Sequence, residues 1–541
     1  MRIFQLCLLV LTTNLALAET PVGTSPLLDL FPASSAPSFL DKPSEFVVSQ
    51  QFRLWTSRSK WAEGLDEKKV FHVYLTHRSV AERSWEIRIG KGGQMYSLVS
   101  SFGEAMPPQS LENPWMDEVW HMVAVNDDLL EYLPTKDGRR GELIHETNSF
   151  IHQAGMYTSQ KQNAPSAPFY SPMLAQSYRA DQRSYAVMSW GQIPTPSVRR
   201  GLVLFYTQFR DLGGGVLEAS YVCFDFGGYA VTSLDSPWGG VRTSVFPELV
   251  LADAGGQPKF HSAYYEQGDG YAVDTKDTGG WAAATQNAAD PHGYALGLVF
   301  GRDQHWRSQS VLEKAAPDRF QRTPTVYASG DSRHGPRDYT VMEVSNRINC
   351  RIGETFFRRV YFIIGTLAEV TEKAKALEAH ADYHPLVFDE DDTPLLPIYS
   401  RKVANGQLVP TLEMTSKSDV PMCFTYARPV EGSKPLFLMQ ETATGKYAIS
   451  TDPYLFCARI AVKNPYPEDD PRHATFENRP QYLTYDGKTK WIDIMGYVMP
   501  REKADEKKLQ YVGLDRIAPL AELFQPGESD KAKAFVVRTS N

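Results

Sequence analysis

Apolar residues along most of this chain recur at every second position rather than at every third or fourth. Trp85-Glu86-Ile87-Arg88-Ile89 alternates large apolar with charged side chains, the pattern of a strand with one dry face and one wet face. Gly90-Lys91-Gly92-Gly93 follows, and Met95-Tyr96-Ser97-Leu98-Val99 resumes the pattern, so the spacing predicts a hairpin. Similar runs lie at 46–48, 71–75, 185–190, 202–210, 216–226, 293–301, 339–346 and 355–365. Between them fall Pro194-Thr195-Pro196, Gly213-Gly214-Gly215 and Ser236-Pro237-Trp238-Gly239-Gly240, which read as turns. Helices do not alternate with these strands, which excludes a parallel α/β fold. The expectation is an all-β chain of many short antiparallel strands.

A helical period occurs at 367–380. Leu367, Val370, Ala374 and Leu377 fall on one face, with Glu369, Glu372 and Lys375 on the other. An acidic run with prolines follows, Asp389-Glu390-Asp391-Asp392 between Pro385, Pro394 and Pro397, and marks a domain boundary. Strand patterns return at 436–440, 447–450, 458–462, 490–498 and 534–538. The expected division is a large antiparallel two-sheet domain over 46–384, a linker over 385–398 and a smaller β-sandwich-like domain over 399–541. The Pro- and Ser-rich stretch 19–45 reads as an N-terminal linker.

Residues 1–18 have the form of a secretory signal peptide: Arg2, an apolar run, then Ala16-Leu17-Ala18 before the expected cut. No later segment is apolar enough to span a bilayer, so the expected mature chain is secreted or periplasmic, without a membrane partner. A net charge of −8 over 541 residues argues against nucleic acid as a partner, while a local arginine cluster in such a chain can still hold an acidic glycan. Cys223, Cys350, Cys423 and Cys457 remain after cleavage. Four cysteines allow three pairings; Cys423 and Cys457 are candidates for a bridge, and Cys223 and Cys350 lie in strand-like runs that suit buried thiols.

The stretch from Gly103 to His152 concentrates chemistry. Gln109, Asn113, Trp115, Trp120, His121, His152 and then Tyr157 bring aromatic faces together with amide, imidazole and phenol groups. Aromatic faces stack on pyranose C–H surfaces, and amides and imidazoles address hydroxyls and carboxylates. The bland alternative is a polar loop packed on Trp115 and Trp120. A second cluster is Pro237 to Ser244, with Trp238 in it, where Arg242 is placed to pair with a carboxylate or sulfate; its alternative is a hairpin turn with a surface arginine. His261, Tyr264, Tyr265 and Trp281 form a third aromatic patch. His380 and His384 read as a helix end, because HADYH lacks the glutamate of a zinc helix. His292 reads as a turn residue, and Asp331 with His334 as a solvated loop. His72 and His77, five apart in a strand, face opposite sides. No metal site is expected and no cofactor is called for, although a divalent cation stays open.

Three passages resemble the large two-sheet β-supersandwich of galactose-mutarotase-like proteins and of several polysaccharide-lyase families. They are Trp85 to Phe102, Phe209 to Phe226 and Asn349 to Gly365, and the likeness covers roughly residues 46–375. None of these families' catalytic residues maps onto this chain. The resemblance implies an exported protein acting on a polysaccharide or oligosaccharide. Its first expected activity is β-elimination on a uronate-bearing, possibly sulfated polymer, with Gln109, Asn113 and Arg242 neutralising the carboxylate and His121 or His152 with Tyr157 moving protons. A glycoside hydrolase using Glu104 with Asp117 or Glu118, and a glycan-binding protein without catalysis, are the alternatives.

Overall fold

The computed structural model describes residues 22–40, 42–54, 69–80, 82–90, 92–104, 120–125, 131–134, 140–145, 150–153, 157–158, 168–169, 173–191, 203–227, 231–242, 244–262, 270–302, 325–330, 340–350, 353–441, 443–453, 455, 469, 489–500, 511–524 and 535–538. Among these residues the chain is all-β with one long helix, Leu367–Leu377. A ten-stranded antiparallel sheet is the centre of the molecule. Its order runs from Met173–Arg179 through Ser184–Trp190, Val203–Gly213, Val216–Asp225, Thr355–Thr366, Tyr294–Val299, Thr278–Thr285 and Glu248–Asp253 to Pro258–Ser262, with Tyr383–Leu386 added alongside Thr355–Thr366.

Two smaller sheets form the facing layer. The five strands from Ser44–Leu54 to Gly103–Glu104 pair in sequence order, and Trp85–Ile89 with Met95–Ser100 makes the predicted hairpin. A six-stranded sheet continues the layer in the order Gly270–Asp274, Thr325–Gly330, Thr340–Cys350, Val231–Val241, His121–Val125 and Phe150–His152. A bridge between Met95 and Trp120 joins the two. Their dry faces meet the ten-stranded sheet in one apolar core that includes Trp85, Met122, Phe205, Tyr221, Met342 and Phe362.

The central strands are buried on both faces. Phe356 and Phe362 point into that core, whereas Phe357 and Ile363 belong to apolar clusters on the opposite face. This double burial makes strands such as Thr355–Thr366 largely apolar, although the buried Arg358 and Arg359 interrupt that run. The helix covers part of the second face through Leu367, Val370, Ala374 and Leu377. A capping box starts it, with Thr366 and Glu369 each binding the other's backbone N–H.

The C-terminal sheet covers the rest of that face. Tyr426, Phe437, Ile494 and Tyr497 pack on Trp190, Tyr206, Phe224 and Phe357. At the centre of the contact the hydroxyls of Tyr206 and Tyr497 hydrogen-bond, and burial raises both phenols' pKa. The C-terminal sheet itself has eight strands, from Leu408–Thr411 to Tyr447–Ser450.

Several expectations need correction. Residues 22–40 form a strap rather than a loose linker. Leu27, Leu28 and Leu30 are buried in the interface with the C-terminal sheet, Arg359 donates to the Pro32 carbonyl at 2.6 Å, and the Phe39 N–H donates to Leu212 at 2.7 Å. The stretch 385–398 is likewise tied in: Leu386 and Phe388 pack on that interface and the strand Leu395–Lys402 begins inside it. Ser236 to Gly240 is not a turn but the middle of the strand Val231–Val241, interrupted by a bulge between Asp235 and Trp238. Cys223 and Cys423 are buried free thiols, and the buried Cys350 thiol donates to the Glu354 carbonyl at 3.4 Å; Cys457 and the expected signal peptide lie outside the described residues. No helix among the described residues is long and apolar enough to cross a membrane.

Candidate functional site

The register of the six-stranded sheet decides which residues share its outer face. Cross-strand partners lie on the same face, and neighbours along a strand lie on opposite faces. Met122, Ala124, Leu234, Met342 and Val344 are all in the core. Positions 121, 123, 235, 343 and 345 therefore occupy the other face. His121 stands opposite Trp238, and Trp238 opposite Glu343. Tyr327 is the next partner, opposite Glu343. One row along, His152 pairs with Val123, Val123 with Asp235, and Asp235 with Ser345. Two imidazole positions, one indole position and two carboxylate positions thus fall within two adjacent rows of one sheet face.

The inner side of the same strands explains why Trp238 is free to sit on the outer face. Gly239 follows it, and a Cβ there would come within 2.5 Å of the Trp120 ring. The glycine lets the backbone lie directly on Trp120, which is 1% exposed and packs edge-on against Phe362 at 5.1 Å. Trp120 is therefore a core side chain; the expected sugar platform at this position has no free ring face. Trp238 and Arg242 are partly exposed. Arg242 directly follows the strand Val231–Val241, and its carbonyl accepts from the N–H groups of Val245 and Phe246 at 3.1 and 2.9 Å.

Those of the remaining expected residues that are described lie elsewhere. Tyr157 lies in a two-stranded pair, opposite Phe169, that is hydrogen-bonded to neither large sheet among the described residues. Gln109, Asn113, Trp115, Asp117, Glu118, Tyr264, Tyr265, Asp331 and His334 lie outside the described residues, and Glu104 pairs with Val99 in the five-stranded sheet. His261 is on the strand at one edge of the ten-stranded sheet, and Trp281 is buried under the helix. His380 bonds Ser35 of the strap at 3.0 Å, and His384 Nδ1 lies 2.8 Å from the Pro385 carbonyl, a structural use for both.

Asp235, Glu343, Ser345 and Tyr327 were missed in the sequence. Met342-Glu343-Val344-Ser345 alternates apolar and polar residues, so a strict period-two reading marks Glu343 and Ser345 as outward. Asp235 was hidden because a bulge follows it. A sheet face with imidazole, carboxylate and indole positions suits sugar stacking and proton transfer. No group of three or more His, Cys, Asp or Glu able to hold a metal occurs among the described residues.

No protein-family model matches the chain, and no curated protein matches it. Solved structures overlap it loosely. A candidate aldose 1-epimerase of Escherichia coli K12 is 9% identical, covering 52% of this chain and 96% of its own, at a TM-score of 0.30. A second candidate aldose 1-epimerase, of Klebsiella pneumoniae, is 12% identical, covering 63% and 88%, at 0.32. A candidate mutarotase of Salmonella typhimurium is 8% identical, covering 61% and 97%, at 0.28. Overlap at this level gives the chain neither a family nor an activity.

Proposed function

We propose that this chain is an exported enzyme that binds an acidic, uronate-bearing polysaccharide across the outer face of the six-stranded sheet and cleaves it by β-elimination. One observation supports this reading above the others: strand register brings His121, His152 and Trp238, which are far apart in sequence, to one sheet face. Trp238 would stack on a sugar ring, and Arg242 at the strand end would neutralise the C6 carboxylate. One imidazole takes the C5 proton, the electron pair forms the C4–C5 double bond, and the C4 oxygen leaves with a proton from the second acid. Glu343 and Tyr327 add a carboxylate and a phenol position beside the histidines.

A hydrolase reading draws on Asp235 and Glu343, which are diagonal cross-strand neighbours. Asp235 is only 8% exposed, which weakens this reading as it stands. Incubation with a panel of uronate polysaccharides separates the two. Far-ultraviolet absorbance from an unsaturated product, lost in His121→Ala and His152→Ala, supports elimination. Saturated oligosaccharides with new reducing ends refute it and favour hydrolysis. Binding without either product leaves a glycan-binding protein.

A further inference from the structure

Gln153 follows His152 at the end of the shortest strand in the six-stranded sheet. Phe150–His152 is an edge strand of three residues and, among the described residues, pairs only with His121–Val125. Backbone pairing over so short a length holds register poorly. Gln153 supplies what is missing. Its backbone N–H donates to the Met122 carbonyl at 2.9 Å, and its side-chain Oε1 accepts from the Met122 N–H at 3.3 Å. Both backbone groups of the residue next to His121 are thus taken by the residue next to His152. Its Nε2 then crosses the core and donates to Thr207 Oγ1 of the ten-stranded sheet at 2.8 Å. Gln153 and Thr207 are both fully buried. Room for the amide comes from Gly93 (φ +87°), where a Cβ would come within 2.7 Å of Nε2.

A buried residue with three hydrogen bonds, two of them from its side-chain amide, to partners in two sheets is a locating pin, because moving it strands polar groups away from water. We propose that Gln153 is a positioning residue that locks the edge strand onto its neighbour and so fixes the offset between His121 and His152. Its importance for catalysis rests on the elimination reading above; the lock itself does not. The lock predicts that one residue of slippage, which would send His152 to the wrong face, is suppressed by a side chain rather than by the ladder.

Hydrogen exchange on the full-length protein without substrate tests the lock directly. In Gln153→Leu and in Thr207→Val, amides in 121–125 and 150–152 should exchange roughly tenfold faster, with the C-terminal sheet unchanged. Unchanged exchange at these strands in both variants overturns the proposal. Thr207→Val guards against a general folding defect, since it keeps side-chain shape and lies in the other sheet. In a wild-type protein that cleaves a uronate polymer, the same variants should lower kcat at near-constant KM. Loosened strands with unchanged kcat and KM would overturn the positioning role. A wild-type protein with no activity, together with loosened variants, would remove the elimination reading and keep the lock.

Discussion

His77 Nδ1 lies 2.8 Å from the Asp211 carboxylate, and both side chains are sealed from solvent. Arg183, held at φ +50°, donates its Nε to the same carboxylate at 3.1 Å and its Nη1 to the Ser44 carbonyl at 3.0 Å. One buried carboxylate therefore ties the five-stranded sheet to the ten-stranded one. Removing its charge leaves the sealed His77 imidazole and the partly exposed Arg183 guanidinium without the carboxylate they share. Asp211→Asn should lose about 3–5 kcal/mol, read as a lower urea midpoint at constant slope. A loss no larger than that of a surface substitution would show that the cluster holds nothing.

The two tryptophans next to His121 in space should separate cleanly. Trp120→Ala empties a core site and should lose about 3–5 kcal/mol of stability. Trp238→Ala removes a partly exposed ring from the sheet face, so it should weaken oligosaccharide binding about tenfold while costing little stability. Calorimetric titration beside thermal melts checks both.

The strap is a stabilising element. Leu27 is 1% exposed within the contact with the C-terminal sheet. Leu27→Ala should cost about 2–5 kcal/mol, whereas a linker residue would change stability by no more than about 0.5 kcal/mol. Denaturant titration distinguishes them.

Burial pushes the Asp493 carboxyl up from 3.8 to about 6, with Glu413 adding to the effect. A folded-state value above the unfolded one means that the folded chain keeps the proton longer. The group therefore favours folding at low pH and loses that advantage as pH rises through this interval. Asp493→Asn should stabilise the protein at neutral pH by about 1–2 kcal/mol, discounted for partial solvent access, and by nothing below about pH 4. Melts across pH 3.5–8 would show the two curves converging at the acid end, on an interval of roughly this width.

Cysteine reactivity should report folding. Burial pushes the Cys423 thiol up to about 12 and drives Cys223 and Cys350 well above the ordinary thiol range. Thiolate is the reactive form. Iodoacetamide at mildly alkaline pH should leave all three unmodified in the native protein and label all three in urea, as peptide mapping would show.

Strand identity was legible because alternation is local. Trp85–Ile89 needs no partner to declare one apolar face, and the helix at Leu367 declares itself by period and cap. The site was legible only in part. His121 and His152 drew notice by residue type, but their shared face depends on pairing with Val231–Val241. Trp120 and Trp238 look equally suited to a sugar; one is core and the other partly exposed because strand alternation and Gly239 set them on opposite faces. Ser236 to Gly240 read as a turn since proline and glycine usually break strands; a bulge absorbs them here.

The sequence alone determined the period of the backbone: strands over most of the chain and one amphipathic helix. Those properties follow from neighbours a few residues apart. Tertiary structure decided which strands pair and in what register, that residues 22–40 lie against the sheet, and that positions 121, 152, 238 and 343 fall on one sheet face. These outcomes depend on strand register and sheet stacking, where a shift of one residue reverses every side chain, and local pattern carries no record of that choice.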